Sequence, residues 1–64
     1  MKFVVEVEMG NAEMETYEHL SELMEHVART LRTLNEISSK PRATDRGYLR
    51  DINGNTIGWY AMKG

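Results

Sequence analysis

The first residues of the chain alternate between apolar and polar side chains. Apolar side chains occupy every second position from the third residue: Phe3, Val5, Val7 and Met9. This period of two is the one that a half-buried β-strand requires, so we predict a strand from 2 to 9 with Phe3, Val5 and Val7 on its inner face. Gly10 and Asn11 end the strand, because both residues favour turns.

The middle of the chain repeats apolar residues at intervals of three and four positions. They are Leu20, Leu23, Met24, Val27, Ala28, Leu31 and Leu34. The repeat predicts an amphipathic helix at least from 17 to 36, with this stripe facing a sheet. Thr16 and Asn11 are alternative N-caps; Asn11 would lengthen the helix by a turn and place Met14 and Tyr17 against the core.

A polar segment from 38 to 45 separates the helix from the last third of the chain. Pro41 lies within it and disfavours helical geometry at Lys40. We predict a surface crossover loop here that carries Lys40, Arg42 and Arg46.

The last third has the pattern of a β-hairpin from 47 to 63. Asp51-Ile52-Asn53-Gly54 places Asp at the first turn position, Asn at the third and Gly at the fourth, which indicates a type I turn closed by a left-handed Gly bulge. This turn would set Leu49 opposite Ile57. A two-residue turn at Asn53-Gly54 would instead set Arg50 opposite Ile57, and the bulged form is favoured because it pairs two apolar side chains.

The bulged register assigns each hairpin side chain to a face of the sheet. The inner set, against the helix, is Leu49, Ile57, Trp59 and Ala61. The outer set is Tyr48, Arg50, Thr56, Gly58, Tyr60 and Met62. If the turn were the two-residue kind, the two sets would exchange faces.

These elements predict one α+β domain over residues 1–64. The order is βαββ, with a three-stranded antiparallel sheet of strand order 1-3-2 and one long helix on one face. A chain of 64 residues buries only about 60% of the surface that it exposes when unfolded, so the core should be small. One face of the sheet should remain open.

The composition excludes several classes of protein. There is no cysteine, so neither a disulfide framework nor a thiolate zinc site is expected. No apolar run approaches the ~20 residues of a membrane span, and the first residues lack the pattern of a signal peptide. We expect a cytoplasmic protein.

The formal charge is −2, but it is unevenly distributed. Residues 1–28 contain seven Glu against one Lys, a formal charge of −6, whereas residues 29–64 contain seven Lys or Arg against three acidic residues, a formal charge of +4. The molecule should therefore be dipolar. The sequence pI of 5.6 disfavours a dedicated nucleic-acid binder.

Candidates for catalysis or metal binding are few. His19, Glu22 and His26 share one outward helix face and could be metal ligands, but a solvated polar face explains them better. Asp51, Asn53 and Asn55 lack the distal Glu of a calcium loop and are typical turn residues. The chain has no nucleophile elbow or phosphate-binding loop, and a domain of this size should lack a substrate cleft of ~300 Å³. We expect no enzyme activity, no cofactor and no metal.

The open face of the sheet is the candidate surface for a partner, because contiguous apolar and aromatic side chains on a small protein often mark an interface. The predicted partner-binding residues are Val4, Glu6, Tyr48, Arg50, Tyr60 and Met62. A secondary acidic surface comprises Glu15, Glu18, Glu22 and Glu25. It is a solubility feature or a site for basic residues of a partner.

The segment Gly47-Tyr48-Leu49-Arg50-Asp51-Ile52-Asn53-Gly54-Asn55-Thr56-Ile57-Gly58 resembles the closing hairpin of short proteins encoded by tailed bacteriophages and prophages. Lys2-Phe3-Val4-Val5-Glu6, Asn11-Ala12 and the helix end from Ala28 to Arg32 match the same outline. The resemblance implies a phage or prophage origin and a bacterial host. Small accessory proteins of this kind often inhibit host enzymes or defence systems, including CRISPR complexes.

Three functional hypotheses follow. The first is a non-enzymatic protein that binds and blocks a host protein, in an anti-CRISPR or related anti-defence role. The second is a structural homodimer, formed through the open face or the edge of strand 1. The third is nucleic-acid binding through Lys40, Arg42, Arg46 and Arg50.

Overall fold

The computed structural model describes residues 1–64 and contains one helix and three strands. The strands are β1 (Lys2–Val7), β2 (Arg46–Arg50) and β3 (Thr56–Lys63), and the helix α1 is Tyr17–Ile37. The sheet has the order β1-β3-β2, and β3 is antiparallel to both neighbours. The predicted α+β fold with βαββ order is confirmed.

Of the two candidate caps, Thr16 is the one at which the helix begins. Thr16 is the N-cap, and its side chain accepts a hydrogen bond of 3.1 Å from the N–H of His19. Asn11 instead closes a separate turn by accepting from the N–H of Glu13 at 2.9 Å. Met14 reaches the core from this turn and is buried, whereas Tyr17 is 90% exposed.

The core is small and lies between α1 and the middle of the sheet. Five buried side chains form it: Met14, Leu23, Val27, Leu49 and Ile57. Val5 and Val7 pack against this cluster from β1. The inner positions predicted for Val5, Val7, Leu49 and Ile57 are therefore confirmed.

The hairpin turn has the predicted bulged form. The N–H of Gly54 donates to the carbonyl of Asp51 at 3.0 Å, and the N–H of Asp51 donates to the carbonyl of Asn55 at 2.9 Å. Gly54 has φ +83°, a left-handed conformation that favours glycine. The Asp51 carboxylate also accepts the N–H groups of Asn53 and Asn55, each at 2.9 Å, and so fixes the turn internally.

The predicted pairing of Leu49 with Ile57 is wrong, because β3 contains a second bulge. Leu49 lies opposite Gly58 and Arg50 lies opposite Thr56, which leaves Ile57 as an extra residue in β3. A shift of one residue moves every later side chain of the strand to the other face. Gly58 permits this bulge, since a Cβ at that position would overlap the backbone carbonyl oxygen of Glu6 in β1.

The second bulge reverses five predicted face assignments, of which the first is Gly58: it lies opposite Leu49, on the helix side of the sheet. Trp59 and Ala61 lie on the open face of the sheet instead of the helix side. Tyr60 and Met62 lie on the helix side, opposite Val5 and Phe3 of β1.

The ring of Tyr60 covers Gly47 of β2. A Cβ at Gly47 would lie only 2.5 Å from the Tyr60 hydroxyl oxygen. The Tyr60 ring also packs at a tilt against Phe3, with ring centroids 6.2 Å apart, and it contacts the core cluster. Tyr60 is therefore a packing residue between sheet and helix.

Candidate partner-binding surface

The strand register defines one open face of the sheet, on the side away from α1. Its cross-strand neighbours are Val4 and Ala61, Glu6 and Trp59, Lys2 and Lys63, Arg46 and Ala61, and Tyr48 and Trp59. We call this set of eight residues the open face.

Two aromatic side chains form the centre of the open face. Tyr48 is 73% exposed and lies directly opposite the half-buried Trp59. A shallow groove passes between them and is bordered by Arg46, Ala61 and Lys63. Aromatic side chains and Arg are the residue types most enriched at the energetic centres of protein interfaces.

The open face is locally positive. Its three cations, Lys2, Arg46 and Lys63, outnumber its one carboxylate, Glu6. The Lys63 ammonium lies over the Trp59 ring, 5.2 Å from the ring centroid, in a cation–π contact. The contact orders the indole ring and holds a positive charge beside it.

The structure brings together only part of the predicted site. Val4, Glu6 and Tyr48 share the open face, whereas Tyr60 and Met62 lie on the helix side of the sheet. Arg50 is exposed and lines a groove beside α1.

Trp59 is the binding residue that the predicted register misses, because that register places it on the helix side. The one available signal was Gly58, because a glycine inside a strand often marks a bulge or a close approach of two backbones.

The predicted acidic surface lies on the opposite layer of the molecule. Glu15, Glu18, Glu22 and Glu25 are all exposed. The spacing of Glu18, Glu22 and Glu25 places them on the side of α1 that points away from the sheet, and Glu15 lies just before the N-cap. Positive charge on the open face and negative charge on the helix are thus separated by the thickness of the domain.

A second groove of about 310 Å³ lies between the end of α1 and the sheet. It is lined by apolar side chains, including Phe3, Leu31 and Met62, with Lys40 and Arg42 at its border. The expectation that the domain has no cleft of this size is wrong. The groove forms because the last turn of the helix extends beyond the core, so that Leu34 is 37% exposed and Ile37 is 78% exposed.

One of the two histidines, His19, has a local structural role. His19 accepts a hydrogen bond at Nδ1 from the N–H of Glu15, at 3.1 Å, and so supplements the Thr16 cap. The structure contains no group of three or more His, Asp or Glu side chains arranged to hold a metal ion. It also contains no helix with the length and apolarity needed to cross a bilayer.

No protein family, curated protein or solved structure matches the chain. The functional argument therefore rests on the geometry of the open face.

Proposed function

We propose that the protein is a non-enzymatic binding module that blocks a host protein by covering it with the open face. The observation that carries the proposal is the exposed Tyr48 beside Trp59 on an otherwise uncovered sheet. These rings lose little conformational freedom on binding and bury a large area, which makes them efficient anchors.

The charge of the open face defines the chemistry of the partner. Lys2, Arg46 and Lys63 surround the aromatic pair, so a complementary surface presents an apolar pocket bordered by Asp or Glu residues. Such charges mainly accelerate association and select among partners, while the aromatic pair supplies most of the affinity. The complex should consequently form more slowly at high salt.

The resemblance to bacteriophage proteins supports a bacterial host and an anti-defence role. A small protein that has no catalytic site would inhibit a defence complex by binding one of the surfaces that the complex needs for its function. We propose a host defence assembly, such as a CRISPR complex, as the class of target.

A matched pair of tyrosine substitutions tests this proposal. Tyr48 on the open face and Tyr17 on the helix are both strongly exposed, so Tyr48→Ala and Tyr17→Ala remove the same group with little effect on folding. Tagged wild type and both variants are used to capture proteins from a bacterial lysate, with quantification by mass spectrometry.

The proposal predicts a partner that wild type and Tyr17→Ala retain and that Tyr48→Ala loses by about tenfold or more, since hot-spot truncations cost at least ~2 kcal/mol. Equal capture of every protein by all three forms would refute a role for the open face.

A second candidate, single-stranded nucleic acid, is favoured by one specific observation. Two adjacent rings with Lys63 above one of them resemble, in chemistry, the stacking platforms that hold unpaired bases. Of the basic residues predicted for this role, only Arg46 lies on the open face. Trp59 is the one tryptophan, so quenching of its fluorescence by an oligonucleotide at low salt tests stacking directly. An unchanged spectrum would end this candidate.

A further inference from the structure

The outer edge of β1 is an unpaired strand edge with a regular pattern of backbone groups. Glu8 donates its N–H to the carbonyl of Ile57 in β3. Because an antiparallel ladder alternates, the backbone groups of Phe3, Val5 and Val7 must point away from β3, toward the outside. β1 is the terminal strand of the sheet, and the connection to α1 makes no backbone hydrogen bond to Phe3, Val5 or Val7.

We propose that β1 pairs with β1 of a second copy of this chain, antiparallel and centred on Val4. This inference is independent of the partner proposed above. The register places Phe3 opposite Val5 of the second copy, so the outward backbone groups of both strands meet as hydrogen-bonded pairs. The result is a continuous six-stranded sheet with a twofold axis at Val4.

The side chains of β1 support this register over its neighbours. Lys2 and Glu6 are both exposed on the open face, and centring on Val4 sets each Lys2 opposite Glu6 of the other copy. These are non-hydrogen-bonded positions, where facing side chains are closest. Moving the centre to Val5 would instead set Val4 opposite Glu6, which pairs an apolar group with a charge.

The other edge of the sheet opposes the same kind of pairing. Antiparallel self-pairing of β2 around Tyr48 would place Arg46 opposite Arg50 of the second copy. Like charges directly opposite each other destabilise a strand pair, and charged side chains are a common protection of edges. In this register β2 is not complementary to itself, whereas β1 centred on Val4 is.

The helix provides a second complementary surface beside the β1 edge. An apolar strip on α1 is formed by Leu20, Met24 and Ala28, and it borders a shallow depression in the surface. His19, Glu22 and His26 line a groove beside the hairpin, on the opposite flank of α1, so the strip faces the β1 side.

A twofold axis at Val4 brings the apolar strips of two helices together in antiparallel orientation. The acidic first half of each α1, with Glu18 and Glu25, then lies beside the basic second half of the other, with Arg29 and Arg32. The strip, the charge gradient and the strand edge thus all favour one dimer.

Charge reversal at the proposed strand contact tests this dimer. Lys2→Glu or Glu6→Lys alone replaces two attractive cross-strand pairs by two repulsive ones, and the combined Lys2→Glu/Glu6→Lys variant restores them. Mass is measured by sedimentation at micromolar concentration, with circular dichroism to confirm folding. Wild type should have twice the 7.4 kDa of one chain.

Each single variant should raise the dimer Kd by about tenfold or more, and the double variant should recover the wild-type value. Arg46→Glu, which makes the same charge change as Lys2→Glu on the opposite edge, should leave the Kd within about twofold. A folded monomeric wild type, or single variants that dimerise as well as wild type, would overturn the proposal.

Discussion

Two glycines in the hairpin determine where its aromatic side chains point. Gly58 allows the β1 backbone to approach β3 so closely that a Cβ would overlap the Glu6 carbonyl oxygen. Gly47 leaves room for the Tyr60 ring above β2. With a side chain at position 58, the bulge that turns Trp59 to the open face would clash with β1. With a side chain at position 47, the Tyr60 ring could not pack above β2.

Gly58→Ala and Gly47→Ala should destabilise the protein to different extents. The Cβ at position 58 meets backbone atoms, which cannot move without distorting β1, so we expect a loss of about 3 kcal/mol in the free energy of unfolding. The Cβ at position 47 meets the end of the Tyr60 side chain, which can shift, so we expect about 1 kcal/mol. Urea unfolding of both variants measures the difference, and an equal or larger loss for Gly47→Ala would contradict the account.

The sequence pattern identifies each element well but cannot identify the second bulge. In β1 and α1 one side is apolar and the other polar, so the hydrophobic period alone fixes the buried face. In β3 both sides are apolar: Ile57 and Trp59 alternate with Tyr60 and Met62. Either assignment then satisfies the pattern, and one inserted residue exchanges the two sides without any trace in the periodicity.

The turn, in contrast, depends on local chemistry and is therefore predictable. Asp51, Asn53 and Gly54 satisfy the backbone of the turn by themselves, so the rest of the fold does not influence its type. Val4, Glu6 and Tyr48 could be assigned to the open face from the sequence, because they lie on β1 and β2, outside the bulged strand β3. Trp59, which follows the bulge, could not be.

The start of α1 is fixed by the Thr16 side chain, and Thr16→Ala tests this. Loss of the hydrogen bond to the His19 N–H should lower the free energy of unfolding by about 1 kcal/mol. Thr33→Ala in the same helix is the matched control, because exposed Thr33 only bonds back to the carbonyl of Arg29 and Ala has the higher helix propensity. Chemical denaturation should show Thr33→Ala to be neutral or slightly stabilising; two equal losses would exclude Thr16 as the cap.

At the scale of the whole molecule, a small core coexists with well-separated charges. Only six of 64 residues are buried, and apolar side chains at both ends of α1 remain exposed, Tyr17 and Ile37 among them. A second copy joined at β1 would cover part of this surface. It would leave both open faces free on one side of a six-stranded sheet, with the two β3 strands ~14 Å apart at the usual strand spacing.

Dimerisation would make thermal stability depend on protein concentration. Because association stabilises only the folded chain, the Tm of wild type should rise as its concentration is increased. The Tm of Lys2→Glu should change much less over the same range. Melting curves recorded by circular dichroism compare the two, and a concentration-independent wild-type Tm would argue against the dimer.

The binding surface depends on the side of the sheet that Trp59 occupies, and proton NMR measures this directly. The open-face arrangement predicts nuclear Overhauser contacts from the Trp59 indole to the side chains of Tyr48 and Lys63, and contacts from the Tyr60 ring to Phe3. Contacts from the Trp59 indole to Leu23 or Val27 in the core would contradict the account.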